Sequence, residues 1–418
     1  MKSINEFLAA SAVIIFPASV LVVDKIYGAV FLLVILLGIW QMIAYRKEIF
    51  PISKDEKLFF FSLSIVMVTV VITMIVKNAE MARADRFLAP ILAIPAYLYF
   101  KQYLKNEAYI WLGLITGALI AGVIAYFQVL GLSYCPIKTP RATGIVHPII
   151  FGDLALLMGV MSLAGLGWFK NIKQWMVILP VLAVAAGMLA SALSLVRGGW
   201  ISLPLFLLIF ILYSARRLSM KINLLILGIF VLTIGTIYLI PQTGVQNRID
   251  SSVANVEAYF DSQKISDRAR HTSVGARFEM WRVAWIMFTE NPIFGIGWGN
   301  FIEKNDELIA KGLSTKHISV FYHPHNQFIS ALAKGGVLGG VAVIIFYLFP
   351  AIAFYKVIGK SRNPEYHRIA LAGLILVIGY IGFSLTESIL ERSRSIIFFS
   401  FYLAVFMALV QGELESTK

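Results

Sequence analysis

Apolar runs of about 18 or more residues recur along most of the chain, and that is the length a helix needs to cross a hydrocarbon layer. The runs are continuous and do not alternate apolar with polar positions, so they predict helices and not barrel strands. About twelve spans fit the pattern: 5–23, 27–45, 58–76, 84–100, 108–130, 147–168, 174–195, 199–214, 222–240, 336–355, 366–386 and 394–411. One long polar segment interrupts them. It divides the chain into nine spans over 1–240, a large loop over 241–335, and three spans with a short tail over 336–418.

Inside the loop the pattern changes period. Residues 241–274 are polar and read as irregular. Phe278, Trp281, Trp285 and Phe288 then recur at spacings of three and four, which predicts an amphipathic helix over 274–290 with an aromatic face suited to a membrane interface. Asn291-Pro292 ends that helix. Gly295, Gly297 and Gly299 follow as a tight turn; they do not match G-x-G-x-x-G and follow no strand, so a dinucleotide loop is excluded. Asn300-Phe301 begins a short helix reaching Ala310. Pro324 suits a first helical position, which would put His325 and Asn326 in the first turn of a helix running into the tenth span.

Composition agrees with the pattern. Of 418 residues 59% are hydrophobic and 14% charged, against about 25% charged in soluble domains. The fold class expected is an all-α polytopic membrane protein. Net charge is +13, but cytoplasmic anchoring charge accounts for part of it, and no nucleic-acid partner is needed. Lysines and arginines in the loops at 46–57, 101–105, 170–173, 216–221 and 356–368 outnumber those in the opposite short loops. By the positive-inside bias both termini are cytoplasmic and the large loop is outside. The single cysteine, Cys135, excludes an intramolecular disulfide and a cysteine metal cage. No cleavage pattern follows the first apolar stretch, so it reads as a retained span.

The basic residues left on the outer side point to chemistry. Arg86, Arg141 and Arg197 lie beside apolar runs. Arginines there face a cavity or a partner, or else snorkel to the headgroups. Guanidinium forks match phosphate, so the set predicts an anion site. Lys138 and Arg141 precede a helix start at His147-Pro148, a ready phosphate cradle. Arg197 sits before a double glycine in SALSLVRGGWISLP, and Arg277 lies at the edge of the aromatic stripe. His325 is placed where free helix amides disfavour imidazolium, leaving a neutral imidazole able to accept a proton. His323 is its rival and Asn326 its neighbour. A histidine capping the helix is the plain alternative. His-x-His can also supply two metal ligands, but no carboxylate or cysteine lies close in sequence, so no metal is expected. Glu387, at the end of the eleventh span, could orient a histidine, bind a sugar hydroxyl, or pair with Arg392 or Arg394.

Four stretches together resemble the Wzy-C or O-antigen ligase family: SLVRGGW (194–200), the Arg277–Trp281–Trp285 spacing, NPIFGIGWGNF (291–301) and HPHNQFISALAKGGVLGG (323–340). The resemblance covers mainly residues 190–340. It implies a GT-C-like glycosyltransferase of the bacterial inner membrane with one large periplasmic loop and its active site facing the periplasm. It implies an undecaprenyl-diphosphate-linked glycan as donor. The short 131–146 loop and the single large loop favour an O-antigen ligase, with the lipid A core as acceptor, over an O-antigen polymerase. Carried over by position, His325 matches the essential histidine, Arg197 the arginine of the serine-arginine-glycine signature, and Arg277 the arginine opening the loop helix. Lys138 and Arg141 would assist at the diphosphate. Cationic clamping of that kind implies no metal and no cofactor, and a single displacement implies inversion. A lipid-carrier transporter or flippase is the rival class. It expects charged groups near the bilayer midplane, whereas most candidates here lie at one end of the spans. A non-catalytic envelope scaffold is the third reading, and it would leave the histidines idle.

Overall fold

A computed structural model describes residues 2–44, 52–79, 84–135, 141–214, 245–260 and 270–416, with scattered positions between 220 and 235. The described residues form helices and turns, with no strand among them. Eight helices among them are long and apolar enough to cross a membrane: Ile26–Ala44, Lys54–Val76, Ala108–Val129, Pro148–Ile172, Gln174–Leu193, Gln327–Lys360, Pro364–Ser384 and Ser393–Leu414. These eight indicate a multi-pass membrane protein. Expected spans at 5–23, 84–100 and 199–214 correspond to Lys2–Ser19, Leu88–Tyr103 and Ser202–Ser214, which fall short in length or apolarity. The span expected at 222–240 lies largely outside the described residues.

Local sequence fixes the helix ends. Ser53 and Glu56 close a capping box on Lys54–Val76. Pro148 and Pro364 occupy first turns, where a missing amide costs nothing, behind His147 and Asn363 as N-caps. In lipid, close backbone approach and not apolar burial drives helix association. Gly113 and Gly117, one turn apart, lie against the backbone of Val13 and Pro17; Gly159 and Gly187 lie against Ala183 and Ala155. These contacts gather Lys2–Ser19, Ala108–Val129, Pro148–Ser162 and Ile178–Leu193 into one group. The last helix packs mainly on Leu88–Tyr103 and Pro364–Ser384. Its Phe401 stacks on Phe16 with centroids 3.9 Å apart.

The loop has its own small core. The Ser273–Glu290 helix buries Ala276, Met280, Val283, Ala284 and Met287 against Ile296, Phe301, Leu308, Ile318 and Ala333. Trp285 is 56% exposed, while the small and sulfur-bearing side chains of the opposite face are the ones that pack. The short helix forms at Phe301–Ala310 as its sequence predicts. Val245–Phe260 is helical where irregular chain was expected.

One junction ties this core to the membrane helices. Gln327–Lys360 breaks its helical geometry at Gly336, with φ 62° and ψ −157°. The amides of Val337 and Leu338 turn away from their own helix and donate to the carbonyls of Pro292 (2.8 Å) and Ile293 (3.5 Å). The carbonyls of Ala333 and Lys334 accept instead from Ile296 (3.0 Å) and Gly297 (2.9 Å). The glycine-rich turn therefore replaces one turn of helix without orphaning backbone groups. A side chain on Gly336 would strike the Ile293 carbonyl.

Candidate active site

The HPHN segment forms a turn and not the start of a helix. Asn326 is the N-cap; its side chain accepts from the amides of Phe328 (3.0 Å) and Ile329 (3.1 Å), and the helix begins at Gln327. His325 thus lies ahead of the helix, with φ 51°. The expectation that it occupies the first helical turn is overturned, because asparagine caps the helix more effectively than the residues before it. Left-handed backbone costs a non-glycine residue roughly 1–2 kcal/mol. Local bonds hold the turn there. The His325 amide donates to His323 Nδ1 (3.2 Å), and the Trp281 indole donates to the Pro324 carbonyl (2.8 Å).

Opposite the turn runs the segment that follows the Pro364–Ser384 helix. The two are zipped together: Asn326 Nδ2 donates to the Leu385 carbonyl (3.0 Å), the Leu390 amide to Gln327 Oε1 (2.9 Å), and Lys334 Nζ pairs with Glu391 (2.6 Å). This register delivers Glu387, 1% exposed, into the middle of the histidine turn. Its Oε2 lies 2.7 Å from His325 Nδ1; its Oε1 lies 3.4 Å from His323 Nε2 and 3.2 Å from Arg392 Nε. Arg392 also donates to the Tyr322 hydroxyl (2.8 Å). Of the roles open to Glu387, it takes two, orienting His325 and pairing with Arg392. Arg394 turns elsewhere, to Asp24.

The charges follow from this packing. Burial would raise the Glu387 carboxyl, but the hydrogen bond to His325 and the Arg392 guanidinium hold it well below the usual carboxylate range. Burial pushes His323 well below the usual imidazole range, against the opposing pull of Glu387. His323 is thus neutral, with Nδ1 accepting from the His325 amide and Nε2–H directed at Glu387. His325 turns Nδ1 to the carboxylate, so Nε2 is the ring nitrogen directed away from Glu387. His325 retains some access, with 14% of its side chain exposed against 2% for His323.

Arg392 and Arg277 are the cations beside this carboxylate–imidazole pair. Arg277 feels both Glu387 and Asp153, which oppose the downward pull of its burial. Arg197 reaches the start of the same loop helix, with Nη2 3.3 Å from Ser273 Oγ. The double glycine explains its placement: a Cβ on Gly198 would strike Thr386, and one on Gly199 would strike Asp153. The Gly198–Ile201 turn can therefore wedge between the Pro148–Ser162 helix and the end of Pro364–Ser384. Arg86, another of the outer arginines, donates to the Glu391 carbonyl and approaches the Tyr322 ring. Arg141 is close enough to His147 to depress it, whereas Lys138 lies outside the described residues.

Two participants were not singled out from sequence as site residues. His147 caps the Pro148–Ser162 helix; its desolvation, then Arg392, His325 and Arg141, push its imidazole down while Glu387 opposes them. Asp153 is buried with Oδ1 unpartnered among the described residues. An acid inside an apolar run is itself a functional signal, and it was legible.

His323, His325 and Glu387 bring three donor atoms within 4.8 Å of one another, a set that could hold a divalent cation. The lack of a carboxylate close in sequence is therefore no ground against a metal: the fold supplies one from 62 residues away, which corrects that expectation. A cation there would displace Arg392 from Glu387 and sit among positive charges, so the surroundings suit an anionic ligand better.

Residues 181–344 match the family model described as O-antigen ligase. The match contains Arg197, Arg277 and both histidines of the turn, but not Glu387. It supports O-antigen ligase or polymerase chemistry in general, acting on lipid-linked glycans in a membrane. An uncharacterized protein of Haemophilus influenzae is 26% identical over 386 residues, covering 92% of this chain and 94% of its own.

Proposed function

We propose that the chain is an O-antigen ligase, a glycosyltransferase that moves glycan from undecaprenyl diphosphate to a sugar of the lipid A core. The observation that carries this reading is the His325–Glu387 pair set beside Arg277 and Arg392. A base beside a cluster of guanidinium groups is suited to deprotonating a hydroxyl while a diphosphate leaves.

His325 Nε2 accepts the proton of the acceptor hydroxyl as its oxygen bonds to the anomeric carbon. The bond from that carbon to the diphosphate oxygen breaks, and the diphosphate departs with the electron pair. Glu387 stabilises the imidazolium that forms. Arg277, Arg197 and Arg141, with Lys138, interact more strongly with the leaving group as its charge grows, which is the condition for accelerating the step. Direct attack inverts the anomeric centre and needs neither metal nor cofactor. His323 and Asn326 position His325 and do not touch the reacting atoms.

In this reading the chain has about twelve spans in a GT-C-like arrangement. It lies in the bacterial inner membrane with both termini cytoplasmic. Residues 241–335 form the periplasmic loop, with spans 1–9 over 1–240 before it and spans 10–12 over 336–418 after it. The test is a choice of acceptor. Purified protein in lipid is given the lipid-linked glycan with either lipid A core or a second lipid-linked glycan. Extension of lipid A core is expected; extension of the second glycan would make the chain a polymerase, and extension of neither would refute both.

A further inference from the structure

A cavity of about 640 Å³ opens beside the site, between the start of the Leu88–Tyr103 helix and the Phe301–Ala310 helix of the loop. None of His325, Glu387, Arg277 or Arg197 lines it. Phe87 and Trp298 form an aromatic wall, edge to face at 4.8 Å. The Trp298 indole is 8% exposed, and its Nε1 has no hydrogen-bond partner among the described residues. Glu303 and Asp306 stand exposed on the facing helix and make no hydrogen bond or ion pair among the described residues. Asn300 completes that side. A second cavity of about 250 Å³ adjoins it, and the two share Arg86, Tyr322 and Glu391. The second cavity reaches His147 and Arg392, and Arg392 is bonded to Glu387.

We infer that the larger cavity is a neutral-saccharide subsite, leading through the Arg86–Tyr322 throat towards His325 and Glu387. The chemistry of the lining favours this ligand. Acids at the mouth repel phosphates and phosphorylated groups, so the cavity is not part of the diphosphate clamp. Carboxylates and an amide accept hydrogen bonds from hydroxyl groups. Aromatic walls take the apolar faces of sugar rings, and a buried indole N–H in such a wall calls for an acceptor. The volume is that of a small-ligand site, with room for a short oligosaccharide. The throat offers Arg86 and the Tyr322 hydroxyl to a chain passing towards the base. The saccharide is either the glycan being received or the glycan being transferred; both offer the same hydroxyl chemistry. The inference rests on the transferase reading for its destination, but not for the binding itself.

The experiment uses the full chain in lipid nanodiscs and two delipidated probes, lipid A core oligosaccharide and the glycan released from the undecaprenyl diphosphate donor. Binding of each is measured to wild type and to Ile302→Trp, Asp306→Asn and Trp298→Phe. Ile302 lines the cavity and is 40% exposed, so a larger side chain there fills the space without disturbing a packed core. One probe is expected to bind, with at least a tenfold loss in Ile302→Trp, while undecaprenyl diphosphate binds all forms alike. Loss confined to the core oligosaccharide assigns the subsite to the acceptor, and loss confined to the released glycan assigns it to the donor. Failure of both probes to bind, or unchanged affinity in Ile302→Trp, overturns the inference. Binding that persists in a protein with no transfer activity sinks the transferase reading and leaves the subsite standing. Normal transfer with neutral cavity variants does the reverse.

Discussion

His325 Nδ1 and Glu387 Oε2 meet at 2.7 Å, joining a loop turn to the end of a membrane helix 62 positions later. That contact decides which face of the imidazole meets the substrate. Glu387→Gln keeps the shape and removes the charge. We expect it to lower kcat by about 10²–10⁴-fold while donor affinity changes little. Steady-state kinetics in detergent or nanodiscs would test this, and an unchanged kcat would remove Glu387 from the mechanism.

The same cluster should sensitise the fold to acid. Glu387 and His323 both bind protons less readily in the folded chain than in the unfolded one. Below the ordinary imidazole value of about 6.5, the unfolded chain takes up the proton that folded His323 refuses. Below the ordinary carboxylate value the same holds for Glu387. Stability from both is therefore present at neutral pH and lost on acidification. Thermal unfolding from pH 7.5 to 5.0 should shift to lower temperature, and His323→Gln should flatten that shift. A variant with the wild-type slope would contradict the assignment of a neutral His323.

Gly336 tests how the loop is docked. Its backbone angles belong to a region that is essentially glycine-only, and a Cβ there would also strike the Ile293 carbonyl. Gly336→Ala should destabilise the junction by about 1–3 kcal/mol. Inserted protein is still expected, with a loop that proteases cut faster and with much reduced transfer. Protection equal to wild type in limited proteolysis would show that the turn at 291–299 does not depend on this break.

Metal dependence can be read without a variant. Arg392 already holds the carboxylate that a cation would need. Activity should survive exhaustive chelation and should not rise on adding divalent ions. Loss on chelation, restored by one particular ion, would convert His323, His325 and Glu387 into a metal site.

The sequence made some of this legible and concealed the rest, for physical reasons. Apolar runs fix most spans because lipid admits few alternatives to helix, and Phe301–Ala310 follows from its own local signals. The aromatic stripe marks the Ser273–Glu290 helix, but spacing alone does not name the side chains that pack; the burial of Met280 and Met287 opposite Trp285 is a tertiary outcome. The register at the histidines was readable: Asn326 is a strong N-cap, and giving it that role puts His325 outside the helix. Glu387 was visible as a candidate, yet its union with His325 needed the zipper of residues 385–391 along 326–334, which no local pattern encodes. Asp153 was overlooked although an acid in an apolar run is a plain signal.

The central claim is that His325 is the base in a glycosyl transfer to lipid A core. The most direct measurement is single-turnover transfer from the lipid-linked glycan by wild type and His325→Ala, with folding and donor binding checked in each. We predict that His325→Ala binds donor normally and forms product at least about 100-fold more slowly. Product formation at the wild-type rate by His325→Ala would contradict the account.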